Sequence, residues 1–109
     1  MKIKTKKIKT QGIKISVEIK KKEVARAYLY ILSNYPEQKP YGFLAEVSVD
    51  ENLRGKGVGT KLLNKIIEEA KKNKCYKIVA TSRSSRSKVH KFYEYLGFKN
   101  VGYEFRIDL

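Results

Sequence analysis

Before residue 50, apolar and polar residues alternate along most of the chain. This alternation places successive side chains on opposite faces and is the period of a half-buried β-strand. It is clearest over residues 13–19, where the isoleucines and Val17 take every second position. The two prolines of residues 34–40 mark a loop. The predicted strands are a short edge strand at 2–9, then 13–19, 24–32 and 41–49.

After residue 57, apolar residues recur every three or four positions instead, which is the period of a helix. A polar loop that offers helix caps precedes the second helix, which stops at Gly97. The chain ends in renewed alternation, which predicts one or two terminal strands. The predicted elements are a helix at 58–73, a strand at 76–81, the polar loop 82–87, a helix at 86–96 and terminal strands over 98–109.

A glycine-rich stretch, 54–60, joins the third long strand to the first helix and reads Arg-Gly-Lys-Gly-Val-Gly-Thr. Glycine has no Cβ, so a phosphate can approach the backbone, and a helix N-terminus favours negative charge. A P-loop is excluded because no Gly-Lys pair is followed by Ser or Thr. The dinucleotide fingerprint is excluded because the third glycine comes one position early. The stretch predicts a ligand that carries a pyrophosphate.

The spacing Arg-x-x-Gly-x-Gly, preceded by Val-Asp-Glu-Asn-Leu at 49–53, resembles the acetyl-coenzyme A loop of the GNAT superfamily of N-acetyltransferases. A second stretch, 85–98, resembles the late helix of that family, which ends in Phe-Tyr-x-x-Leu-Gly-Phe. The resemblance covers roughly residues 41–109. It implies an α+β (mixed α/β) acyl-CoA N-acyltransferase fold, with a central, mostly antiparallel twisted sheet and about two helices. The two early helices of the family are not expected, because residues 20–50 are predicted to be extended and turn.

The resemblance also implies how the coenzyme is held. The backbone groups of Val47 and Val49 would pair with the pantetheine arm, and the loop amides would bind the pyrophosphate. Arg86 stands where many members have an asparagine, and it could reach a coenzyme phosphate instead. The side chain of Lys56 could add charge or point to solvent. The loop residues concerned are Arg54, Gly55, Lys56, Gly57, Val58, Gly59 and Thr60.

Acetyl transfer to an amine needs a base for the ammonium proton and an acid for the leaving thiolate. Glu46 is the candidate base, because alternation puts it on the face of Leu44 and Ser48, where partial desolvation would raise its pKa. An exposed carboxylate or a buried ion pair are the alternatives, and His90 or a water could act as the base. Tyr93 matches the late-helix tyrosine of the family and is the candidate acid, unless it only packs in the core beside a phenylalanine.

Length and composition limit the number of domains and the cellular compartment that we expect. The chain has 109 residues and one cysteine, which predicts a single domain over 1–109 and no internal disulfide. No run approaches the ~18 apolar residues of a membrane helix. The basic N-terminus lacks the apolar core of a signal peptide. We therefore expect a cytoplasmic protein without a membrane partner. No cluster has the spacing of metal ligands, so no metal is expected.

The sequence thus predicts an acetyl-CoA-dependent N-acetyltransferase whose acceptor is a protein lysine, a protein N-terminus or a small amine. The alternative is a basic nucleic-acid-binding module without turnover, because the net charge of +14 favours nonspecific contact with nucleic acid. A homodimer is also expected, because without the early helices the sheet is short of cover. The apolar residues expected at that interface include Tyr28, Tyr30, Tyr41 and Phe43.

Overall fold

A computed structural model describes residues 1–82 and 86–109. Most predicted elements are confirmed within a few residues, and none of the described helices is long and apolar enough to cross a membrane. The prediction for the polar loop 82–87 falls mainly on residues 83–85, which lie outside the described residues. The elements are β1 Gln11–Ile19, β2 Lys22–Leu32, β3 Tyr41–Val49, a 3₁₀ turn Glu51–Leu53, α1 Val58–Lys72, β4 Ile78–Ala80 and α2 Ser87–Tyr95.

Two predicted strands were wrong. Residues 2–9 and 98–109 form no regular element and are exposed in nearly every position. A strand exists only where its backbone groups pair with a neighbouring strand. Alternation of apolar and polar residues therefore indicates which residues could form a strand. Whether they do form one depends on a neighbouring strand with which their backbone can pair. The prediction for 76–81 was too long for the same reason, since β4 has only three residues.

The sheet is mixed and has the order β1-β2-β3-β4. The first three strands form an antiparallel meander. The N–H of Gly42 donates to the carbonyl of Lys77 at 2.9 Å, and that of Tyr76 donates to the carbonyl of Pro40 at 3.0 Å. From one of these bonds to the other, the residue numbers rise in both segments, so β4 runs parallel to β3. β4 lies beside the N-terminal end of β3.

The chain divides into two compact units, Met1–Val79 and Ala80–Leu109. In the first unit, one face of α1 packs on the meander. The alternating positions of β2 that face α1 include two alanines and Leu29, none of which is exposed. Burying each large aliphatic side chain of such a core contributes about 1.5–3 kcal/mol. The buried residues are Ile15, Val24, Ala25, Ala27, Leu29, Leu44, Leu62, Leu63, Ile66 and Ala70.

The strand β3 contains a β-bulge. Between Ser48 and Ala45, β3 has two residues, Glu46 and Val47, whereas β2 has only Ala27 between the partners of that pair. Glu46 has a left-handed backbone with φ 52°, the conformation that glycine usually supplies at the first position of one bulge class. The extra residue breaks the alternation of β3 at this point.

The second unit contains α2 and the residues that follow it. The Tyr93 ring lies against Phe98, with ring centroids 5.3 Å apart, and against Phe92 at 6.1 Å. The Phe98 N–H donates to the Tyr93 carbonyl at 3.0 Å, and Gly97 has φ 100°. The Gly97 N–H also donates to the Glu94 carbonyl at 3.0 Å. The two bonds form a Schellman motif, in which a left-handed residue ends the helix and the last carbonyls of the helix are satisfied.

The first helix ends in the same motif but without a glycine. The N–H of Cys75 donates to the carbonyl of Ala70, and that of Lys74 donates to the carbonyl of Lys71, both at 3.0 Å. Lys74 occupies the left-handed position with φ 61°. A residue with a Cβ is disfavoured there by about 1 kcal/mol or more.

We therefore expect Lys74→Gly to raise the free energy of unfolding by about 1 kcal/mol, because glycine adopts this backbone without strain. The matched control is Lys71→Gly, the same exchange inside the last helical turn, which should lower stability because glycine disfavours a helix by up to about 1 kcal/mol. Thermal and urea unfolding of the three proteins measure both changes. Equal effects of the two substitutions would contradict the motif.

Candidate active site

The glycine stretch forms an open turn at the start of α1. Gly55 and Gly57 have left-handed backbones, with φ 77° and 81°. A Cβ built on either residue would meet no atom within 4 Å. The backbone conformation therefore explains why glycine is needed at both positions, and the space above the turn is free for a ligand.

Three amides at the start of α1 point away from the helix. The helix begins at Val58, its N-cap is Gly57, and no side chain caps it. The first intrahelical bond runs from the Lys61 N–H to the Gly57 carbonyl at 3.1 Å. The N–H groups of Val58, Gly59 and Thr60 precede that bond and have no carbonyl in the helix to reach. No acidic residue occupies the first turn, so these amides form an anion-binding arrangement.

Two amides that the sequence assigned to the pyrophosphate are engaged elsewhere. The Arg54 N–H donates to the carbonyl of Glu51 at 3.3 Å, and the Lys56 N–H donates to that of Leu53 at 3.4 Å. These two bonds continue the 3₁₀ turn into the loop, and the assignment of residues 54–60 to the pyrophosphate stays a prediction. The Arg54 Nε also lies 3.4 Å from the Val49 carbonyl, which links the loop to the end of β3.

The second half of β3 extends beyond β4. Since β4 is three residues long and meets β3 near Gly42, it ends well before Val47 and Val49. Both valines are half-buried. Backbone groups on an unpaired strand edge can hydrogen-bond an extended ligand. The candidate contacts at Val47 and Val49 thus lie on the same strand that leads into the glycine stretch.

The environment expected for Glu46 was wrong. Leu44 pairs with Leu29 and is buried, whereas Ser48 pairs with Arg26 and is exposed, so the bulge puts these neighbours on opposite faces. The Glu46 side chain is exposed. The sequence did not indicate the bulge, because the left-handed position is usually occupied by glycine and is occupied here by Glu46.

The remaining candidates lie in the second unit. Burial raises the pKa of Tyr93 above its ordinary value of 10, which keeps the hydroxyl protonated and able to donate. Arg86 is exposed and precedes the first residue of α2, and its carbonyl accepts the His90 N–H at 3.1 Å. Arg86, not a serine, is the N-cap residue, and its side chain makes no capping hydrogen bond.

Cys75 takes no part in this arrangement. It is half-buried at the end of α1, and burial raises the pKa of its thiol. A raised pKa reduces the thiolate fraction and with it the reactivity. Its position and its raised pKa favour a packing role for Cys75.

Comparisons with known proteins agree with this geometry. N-acetylaspartate synthetase of Xenopus tropicalis is 44% identical over 59 residues, 54% of this chain and 22% of that protein. Glucosamine 6-phosphate N-acetyltransferase of Trypanosoma brucei brucei is 35% identical over 68 residues, 62% of this chain and 44% of that protein. The chain therefore spans less than half the length of these relatives.

Among solved structures, an acetyltransferase from Agrobacterium tumefaciens strain C58 is 33% identical with a TM-score of 0.80, covering 86% of this chain and 66% of that one. An acetyltransferase from Trypanosoma brucei is 28% identical with a TM-score of 0.79, covering 90% of this chain and 69% of that one. The model of the acetyltransferase (GNAT) family matches residues 8–98, a range that covers most of the first compact unit and part of the second. The chain belongs to the GNAT acetyltransferase family.

Proposed function

We propose that this chain transfers an acetyl group from acetyl-CoA to a primary amine. The observation that carries the proposal is the open turn at Gly55 and Gly57, which leads directly into three uncapped amides at the start of α1. Membership of the GNAT family supports the same donor. Two exposed lysines, Lys56 within the turn and Lys61 in the first turns of α1, would attract the phosphates of the coenzyme.

The roles proposed for residues of the first unit follow from where they lie in it, and the role proposed for Tyr93 follows from its match to the late-helix tyrosine of the family. When bound, acetyl-CoA supplies a thioester carbonyl to the amine. Glu46, whose exposed carboxylate a solvent-borne amine can reach, takes the ammonium proton directly or through a water. Tyr93, held in its protonated form by burial, gives a proton to the departing sulfur. The backbone of Val47 and Val49 orients the arm that carries the thioester.

We propose that the acceptor is a small primary amine that also carries an anionic group. The name of one relative denotes such a compound, glucosamine 6-phosphate, and the name of another denotes N-acetylaspartate, which is the acetylated form of one. The net charge of +14 supports an anionic acceptor and disfavours a polyamine. A protein acceptor is the other possibility that the sequence left open, and it would be selected by an acidic surrounding sequence.

A nucleic-acid-binding role has weaker support. Such a role needs basic residues on one face with aromatic side chains between them. The exposed lysines of the first unit instead occupy several separate segments: residues 2–9, the turn after β1, and α1. The Lys77 ammonium lies over the Tyr41 and Tyr76 rings, 5.2 Å from each centroid, which accounts for those two aromatics locally.

Gly57→Asn tests the coenzyme site. Asparagine tolerates the left-handed backbone, so stability should change little, while its side chain fills the space that a phosphate would occupy. We expect the affinity for coenzyme A, measured by calorimetry, to fall at least about tenfold. Gly59→Val, at a residue whose φ is not positive, should weaken binding similarly by crowding the first-turn amides.

The matched control for these variants is Lys74→Asn, which places the same side chain at another left-handed position, at the far end of α1. Its affinity should equal that of the wild type. If both loop variants bind coenzyme A as tightly as the control, the phosphates are not held by this turn.

Tyr93→Phe tests the proton donor, because it removes the hydroxyl and keeps the ring against Phe98. We expect kcat to fall roughly 10–1,000-fold, with little change in coenzyme affinity. Tyr95→Phe is the control, since that ring is 81% exposed. An unchanged kcat in Tyr93→Phe, with chemistry shown to limit the rate, would leave Tyr93 with a packing role only.

A panel of paired acceptors tests the substrate class. Thiol release should be faster with glucosamine 6-phosphate than with glucosamine, and faster with aspartate than with asparagine, because each pair differs in the anionic group. Spermidine and a lysine-containing peptide complete the panel. Equal rates within both pairs, or a preference for spermidine, would contradict an anionic acceptor.

A further inference from the structure

The turn that joins β1 to β2 consists of two lysines with left-handed backbones. Ile19 pairs with Lys22, so only Lys20 and Lys21 lie between the strands, and their φ angles are 53° and 64°. Two left-handed residues in succession are typical of a type I′ turn, for which Asn-Gly is strongly preferred. Because a Cβ is disfavoured in this conformation, lysine at both positions costs stability that Asn-Gly would not cost.

Strained residues of this kind are concentrated at sites where ligands bind. Lys20, Lys21 and the adjoining Lys22 are all exposed. Among the residues that the structure describes, none forms an ion pair with any of these three lysines, whereas Lys14 and Lys65 have carboxylate partners. The turn therefore presents three ammonium groups that are available to an anion.

This lysine turn, residues 20–22, lies at the same end of the sheet as the glycine turn. The Asp50 N–H, directly after β3, donates to the Val24 carbonyl at 2.8 Å, which fixes the end of β3 beside the first residues of β2. Lys22 comes two residues before Val24, about 7 Å further along the strand. The chain leaves β3 at this same end and continues into the glycine turn.

The first helix also begins at this end, and it packs against the two strands that the lysine turn joins. Its uncapped amides, those of Val58, Gly59 and Thr60, are therefore on the side of the molecule where the lysine turn lies. A third left-handed lysine, Lys74, follows the other end of α1. A helix of 15 residues is about 22 Å long, so Lys74 is far from the glycine turn.

Positive charge predominates at this end of the first unit. The carboxylates here belong to Glu18, Asp50 and Glu51, since that of Glu23 is already bonded to Lys14 and Arg26. The cationic side chains outnumber these three carboxylates, and they would attract an anionic ligand. They are Lys20, Lys21, Lys22, Arg54, Lys56 and Lys61.

We propose that Lys20 and Lys21 bind the phosphate on the 3′ carbon of the coenzyme's ribose, an inference that rests on the acetyl-CoA donor proposed above. The same ribose carries the pyrophosphate on its 5′ carbon, so the third phosphate lies within one sugar of the pyrophosphate. The first-turn amides of α1 hold the pyrophosphate. Lysine reaches a phosphate as a point charge on a flexible four-carbon stem, which suits a group at the outer end of the ligand.

The double variant Lys20→Asn with Lys21→Gly tests this site, because it removes both charges and supplies the residues that the turn prefers. Its Tm should rise by about 4 °C or more, so a loss of affinity would not reflect unfolding. Calorimetry compares coenzyme A with dephospho-coenzyme A, which lacks only the 3′ phosphate. We expect the wild type to prefer coenzyme A at least about tenfold and the variant at most about threefold.

The matched control is Lys71→Gln with Lys74→Gly, which removes two charges and one left-handed lysine at the far end of α1. It should keep the wild-type preference for coenzyme A. Equal losses of affinity for both coenzymes in the turn variant, or an unchanged preference, would overturn the proposal. A wild type that binds both coenzymes equally would overturn this site alone, whereas a wild type that binds neither would also refute acetyl-CoA as the donor.

Discussion

The first unit depends on the close packing of α1 against the alanine side of β2. Ala25 and Ala27 have no exposed surface and no side-chain bulk beyond Cβ, so the helix can approach the middle of the meander. Leu62, Leu63 and Ile66 fill the space on either side. Since protein interiors are packed as densely as organic crystals, this contact leaves the helix little freedom to slide. It therefore also fixes the helix N-terminus, and with it the three uncapped amides that follow the glycine turn.

The β-bulge of β3 is the second constraint on the site. It places an extra residue, Glu46, in a left-handed conformation on the strand that leads to the turn. Bulges often occur beside functional sites, where they redirect side chains, and a strained residue of this kind persists only when its surroundings hold it. On either side of the bulge, the cross-strand pairs Leu44–Leu29 and Val49–Ala25 are regular. The backbone strain is thus confined to the residues of β3 between Leu44 and Val49, which include the candidate base Glu46.

The long elements and the glycine turn could be predicted from the sequence, because each is encoded by residues that are close together in the chain. Periodicity located the three long strands and both helices, and the glycine spacing located the turn at Gly55 and Gly57. The features that were predicted wrongly depend on contacts between residues far apart in the chain. Whether 98–109 forms a strand depends on a partner, and the register shift at Glu46 depends on how β3 meets β2. The hydrogen bonds of the Arg54 and Lys56 amides were not predicted either, because a 3₁₀ turn of only three residues has no periodicity to detect.

The dispersed lysines have opposite consequences for the binding of an anionic coenzyme and for the association of two copies of the chain. Binding of an anionic coenzyme is assisted by positive charge, so added salt should weaken it by screening the attraction. Two copies that each carry a net charge of +14 repel one another, so the same salt should favour their association. Ionic strength should therefore change the affinity for the coenzyme and the tendency of two copies to associate in opposite directions.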